Sequence, residues 1–67
     1  MKNIGGAIIK ELRTKLKWSR FKLSLESGVA VNTIQEIEKG LRGGNLSTFI
    51  KLINAMGYDL EVVRIDE

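Results

Sequence analysis

Residues 19–40, SRFKLSLESGVAVNTIQEIEKG, decide the fold. They read as two short helices joined by a tight turn at Gly28. Ser19 has an oxygen that can accept a backbone N–H from the first turn, so it suits an N-cap for a helix from about Arg20 to Ser27. Trp18 before the cap and Leu23 inside the helix stand at the spacing of a hydrophobic staple. Gly28 falls where the chain must turn sharply, and glycine takes positive φ at no steric cost. The second helix runs from about Val31 to Lys39 and stops at Gly40.

The second helix has two unlike faces. At about 100° per residue, Ile34, Ile37 and Glu38 cluster on one side, and Asn32, Gln35, Glu36 and Lys39 fall on the other. Asn and Gln can bond bidentately to adenine, and a carboxylate can accept from cytosine N4. An aliphatic pair opposite such groups is what a groove-reading helix needs, and the spacing of the two helices suits a helix-turn-helix. An ordinary amphipathic helix with a solvated polar face has the same pattern.

Length and composition narrow the choice. The chain has 67 residues. A single domain of that size buries only about 60% of its unfolded surface. It has no Cys, which removes disulfide and zinc-thiolate staples, and no His, which removes the commonest general base and metal ligand. No P-loop or dinucleotide glycine pattern is present, and GLRGG at 40–44 fits a turn. The chain is therefore expected to be no enzyme and to hold no metal or cofactor. No apolar run reaches the roughly 18 residues of a membrane span, and Lys10 interrupts the short apolar stretch near the start. A cytoplasmic location with no membrane partner is expected.

The net charge of +3 is unevenly spread. Residues 1–57 hold ten Lys and Arg against four acids, a net of +6, and residues 58–67 hold Arg64 against four acids, a net of −3. A basic body suits a polyanion, with the acidic end lying away from it. Solubility alone is also served by such a charge.

Ile4, Ile8, Ile9, Leu12 and Leu16 follow helical spacing, so a first helix is expected over about Ile4 to Lys17, with Asn3 as cap. Gly5 and Gly6 weaken its first turn by roughly 1 kcal/mol each relative to Ala. A fourth helix is expected over about Leu46 to Met56, capped by Asn45 and stopped by Gly57, with Leu46, Phe49, Ile50, Ile53 and Met56 as its buried stripe. Tyr58 to Ile65, YDLEVVRI, is rich in β-formers and reads as a strand. This divides the chain into a helical domain at 1–57 and a strand and tail at 58–67.

Several motifs together carry a family resemblance. They are the I-x-x-L-R run ending at Leu12-Arg13, W-S-x-x-x-L at Trp18 to Leu23, S-G-V at Ser27 to Val29, T-I-x-x-I-E-K-G at Thr33 to Gly40, and N-L-S-T-F-I-K-L at Asn45 to Leu52. With these, the chain resembles the Xre/Cro-type, lambda-repressor-like helix-turn-helix family from Ile4 to about Leu60. The resemblance implies a mainly α bundle of four to five helices, acting as a dimer on palindromic double-stranded DNA. It places Val31, Asn32, Thr33 and Glu36 at base edges, and Gln35, on the polar face of the same helix, is a further candidate base contact. It places Arg20, Lys39 and Arg42 near phosphates, and pairs Arg13 with Glu38 inside the bundle; Lys22, close to the same helix start as Arg20, reads as a further phosphate contact.

The chain departs from that family in places. Arg20, Phe21 and Lys22 stand where a glutamine and acids are usual. Cations at a helix N-terminus oppose its dipole, and a docked phosphate would offset that cost. Ala30 replaces the usual capping serine or threonine. Val31 cannot bond a base but can pack on a thymine methyl.

A lone strand of about eight residues is not stable in water. Its simplest partner is the same strand of a second copy, paired through a segment containing Leu60, Val62, Val63 and Ile65. The alternative is a frayed tail. A strand directly after the fourth helix resembles antitoxins of the HipB kind, which repress their own operon and neutralise a partner toxin. Two functions stay open: an operator-binding repressor, with a cognate toxin as a further partner, or a toxin-neutralising or prophage-type interaction module with little DNA binding of its own.

Overall fold

The computed structural model describes residues 4–41 and 45–66. Among these, four helices form: α1 Ile4–Lys15, α2 Arg20–Ser27, α3 Val31–Glu38 and α4 Leu46–Ala55. The expected cap Asn3 and the expected phosphate contact Arg42 lie outside the described residues, as does the side chain of Ile4.

The helix ends follow from local chemistry. Ser19 Oγ accepts from the Lys22 N–H at 3.0 Å and starts α2. Asn45 Oδ1 does the same for α4, accepting from the Thr48 N–H at 2.8 Å. Ala30 has no capping side chain, yet its extended backbone still lets its carbonyl accept from the Ile34 N–H at 3.0 Å, so α3 begins at Val31. Gly28 takes φ 77° and ends α2.

The other three helices stop one or two residues earlier than the periodicity suggests, all by one device. The residue beyond the helix turns left-handed and two backbone N–H groups fold back onto the last carbonyls. Gly40 (φ 78°) closes α3 through Gly40 N–H to Ile37 O at 3.1 Å and Leu41 N–H to Glu36 O at 2.9 Å. Gly57 (φ 91°) closes α4 through Gly57 N–H to Asn54 O and Tyr58 N–H to Ile53 O. Lys17 (φ 60°) closes α1 with the same bonds, to Thr14 O and Arg13 O, although it carries a Cβ. The left-handed turn at Lys17 is why α1 ends at Lys15 rather than Lys17.

The core contains Ile9, Leu23, Val29, Ile34, Ile37, Leu52, Ile53 and Met56, with Leu12, Trp18, Phe49 and Ala55 packed around it. α3 packs on α1 and α2, and α4 packs on α2 and α1. The buried stripe of α4 differs from the expected one. Leu52 is fully buried, whereas Leu46 is largely exposed. α4 is covered on two sides, which brings Leu52 inside, while Leu46 sits in the first turn beyond the contact. Along and just after α1, Ile8 and Leu16 are exposed, and Ile9 is fully buried.

No strand forms among the described residues. Residues 58–66 continue without regular structure, and the predicted strand over Tyr58 to Ile65 is corrected to an unpaired arm. Leu60, Val62, Val63 and Ile65 are all exposed, Val62 at 96% and Ile65 at 85%. A strand requires a hydrogen-bonded neighbour, and the described remainder of this chain is already committed to helices and their caps.

Candidate nucleic-acid interface

The inner side of α3 is fixed by charge as well as by apolar packing. Arg13 on α1 and Glu38 on α3 meet bidentately, Nε to Oε2 at 2.7 Å and Nη2 to Oε1 at 3.0 Å. Arg13 Nη1 also donates to the Trp18 carbonyl at 2.8 Å, the residue delivered by the turn at Lys17. Arg20 on α2 adds a third member, Nε donating to Glu38 Oε1 at 3.0 Å. The Glu38 side chain is 1% exposed, so one interior carboxylate binds three helices together. Such a network contributes when every member is satisfied, and no buried side-chain N or O among the described residues lacks a hydrogen-bond partner.

A second close contact sits beside it. Gly6 is buried, and a Cβ there would overlap the Ile37 carbonyl oxygen at the C-terminal end of α3. The glycine that weakens the first turn of α1 is thus what lets α1 and α3 approach. The helical pattern gave no sign of this, since it depends on a neighbour distant in sequence.

With its inner side held, α3 presents the opposite side outward. Asn32, Gln35, Glu36 and Lys39 line a shallow hollow of about 270 Å³, joined by Leu41 from the following turn. Asn32 and Lys39 are exposed, and Gln35 and Glu36 half-buried. Val31 and Thr33 are also half-buried but flank this side instead of lining the hollow. Of the five candidate base contacts, the structure therefore brings Asn32, Gln35 and Glu36 together. Leu41 was not singled out from the sequence, because nothing in a lone leucine after a helix-stopping glycine marks it.

The expected phosphate contacts are more occupied than free cations would be. Arg20 is correctly placed at the start of α2 but is 35% exposed and pairs with Glu38, so its first role is internal. Lys22 Nζ pairs with Glu26 at 2.9 Å, one helical turn on, and lies 5.3 Å from the Trp18 ring centre. These cations at the α2 N-terminus thus have protein partners, which offset their opposition to the dipole. Lys39 is exposed at the end of α3, on the rim of the hollow. On the outer side of α2, Phe21 and Leu25 are both exposed.

The helix-turn-helix family profile matches residues 9–63, most of the chain. The chain belongs to the Xre/Cro-like helix-turn-helix family. Membership supports a DNA-binding regulator in general terms and agrees with the four-helix architecture. No curated protein and no solved structure matches the chain significantly. Among the described residues, no helix is long and apolar enough to cross a membrane.

Proposed function

We propose that the chain is a sequence-specific repressor that binds palindromic operator DNA as a dimer and acts by binding rather than catalysis. The observation that carries this reading is the outer side of α3. Asn32, Gln35, Glu36 and Lys39 form one polar surface on a helix whose other side is held by Ile34, Ile37 and Glu38. Rigid support matters because base-edge hydrogen bonds discriminate only if their donors and acceptors are held in place. The basic body of residues 1–57 would supply phosphate affinity, with Lys39 and Arg42 near the backbone and Arg20 and Lys22 contributing through their outward sides.

The arm would supply the dimer. Leu60, Val62, Val63 and Ile65 are exposed in one copy, and antiparallel pairing with a second arm would satisfy their backbone and bury part of each side chain. Two copies would set their α3 helices about 34 Å apart, one turn of DNA. A cytoplasmic antitoxin that represses its own operon and neutralises a toxin is the finer form of this reading. A second reading, an interaction module with little DNA affinity, is favoured by the carboxylate of Glu36 and the apolar Leu41 on the same surface.

Selection from a pool of random duplexes at low and high salt separates the two. A repressor should enrich one palindromic sequence, and its affinity should fall steeply with salt as counterions are released. Lys39→Ala should weaken binding to all duplexes alike. Asn32→Ala should cost about 1–3 kcal/mol at the enriched site and relax the preference there. Absence of any salt-dependent retention would leave the interaction module.

A further inference from the structure

We propose that Leu41 is a specificity residue, making an apolar contact with the methyl group of a thymine beside the bases reached by α3. This rests on the DNA-binding reading above and adds to it a residue outside the recognition helix.

Leu41 is 76% exposed, yet its backbone is fixed. Its N–H donates to Glu36 O at 2.9 Å, and Gly40, at φ 78°, donates to Ile37 O at 3.1 Å. A residue at this place in a helix-closing turn usually packs on the side chain at the start of the last turn. Here that residue is Glu36, which offers a carboxylate, and Leu41 stands in solvent instead. Among the described residues it is also the one apolar residue lining the hollow formed by Asn32, Gln35, Glu36 and Lys39. An apolar side chain at the edge of a polar hollow, on a backbone fixed by two bonds, contributes little to folding, but it can tell one base edge from another.

The major-groove edge of an A·T pair suits this hollow. Adenine offers an acceptor and a donor, which an Asn or Gln amide matches bidentately. Thymine offers an acceptor and the only apolar group in the groove, the C5 methyl. The amide side chains on α3 can address adenine while Leu41 covers the methyl group of its partner or of a neighbouring thymine. Val31, at the opposite end of α3 and outside the hollow, could take a methyl group only at another base pair.

The test uses the full chain and the duplex enriched from the random pool. Each thymine is replaced singly by deoxyuridine, which removes the methyl group and nothing else. One thymine per half-site should lose about fourfold in affinity, the factor that corresponds to ~0.8 kcal/mol for one buried methyl group. Leu41→Ala should bind the thymine and uridine duplexes equally, at the level of the wild type on uridine, with an unchanged thermal midpoint. Leu41→Met, which keeps an apolar tip, should retain the dependence. A wild type indifferent to every methyl group overturns the contact and leaves DNA binding standing. So does a Leu41→Ala protein that still loses fourfold when Val31→Ala does not, which would assign the methyl group to Val31. Failure to enrich any duplex overturns this inference together with the DNA-binding reading.

Discussion

The helical bundle and the arm that follows it contain similar apolar residues in opposite circumstances. In the bundle, Ile9, Leu23, Ile34 and Leu52 are fully buried. In the arm, Leu60, Val62, Val63 and Ile65 face solvent. Side-chain chemistry does not separate the two groups; the presence of a second layer does. Each bundle helix has an apolar side and finds another helix to cover it, whereas the apolar residues of the arm stay exposed and the arm forms no strand among the described residues. The bundle's polar interior makes the same point. Arg13 and Glu38 are tolerable inside because they meet each other bidentately, and the half-buried Arg20 adds a second cation to the same carboxylate.

Removing a member of that set should produce the largest effect. Glu38→Ala strands Arg13, and in part Arg20, without its counter-charge, and should cost about 3–5 kcal/mol. Much of the stability of so small a domain would go with it, read as a large fall in thermal midpoint. Glu26→Ala removes only an exposed one-turn pair with Lys22 and should cost no more than about 0.5 kcal/mol. Equal falls for the two variants would show that the interior network adds nothing beyond a surface pair.

Next in size is Gly6→Ala. Its methyl group would overlap the Ile37 carbonyl and force α1 from α3, at about 1–3 kcal/mol despite the better helix propensity of alanine. Denaturant melts reporting a gain would mean that α1 and α3 do not approach there. Lys17→Gly should act in the opposite direction and more weakly. It relieves a side chain held at φ 60° and should raise stability by roughly 1 kcal/mol, less the extra freedom glycine brings to the unfolded chain.

The smallest effect on folding belongs to the arm. Truncation after Tyr58 keeps the bond from its N–H to Ile53 and should change the unfolding free energy of a dilute monomer by no more than about 0.5 kcal/mol. The same truncation should abolish dimers in sedimentation and most of the affinity for a palindrome. A truncated protein that still sediments as a dimer would move the interface onto the bundle.

The sequence was readable wherever the cause is local. Ser19, Asn45, Gly28, Gly40 and Gly57 mark helix ends through their own side chains or their freedom at positive φ. The two sides of α3 followed from periodicity, and the Arg13–Glu38 pairing from the family's motifs. What escaped reading depends on neighbours far along the chain. Lys17 has nothing that announces a left-handed turn, and Gly6 resembles a weak helix start until Ile37 is set against it. Arg20 looked like a free phosphate contact because its link to Glu38 spans two helices. The arm was read as a strand from β-propensity, which describes a fit to a pleated, half-covered surface that one copy does not provide.

Glu38 also governs how the domain can come apart. Its carboxylate touches α1 through Arg13 and α2 through Arg20 while belonging to α3. α1 and α3 cannot part without leaving an interior charge unmatched, and α2 cannot leave without breaking the Arg20 bond to Glu38, so the network couples the opening of all three. α4 holds no member of the network and is attached through Leu52, Ile53 and Met56. Amide exchange should therefore divide the bundle into one cooperative unit of three helices and a fourth that opens more readily. The support of α3 is then all-or-none: the recognition helix is either held by its whole scaffold or lost with it.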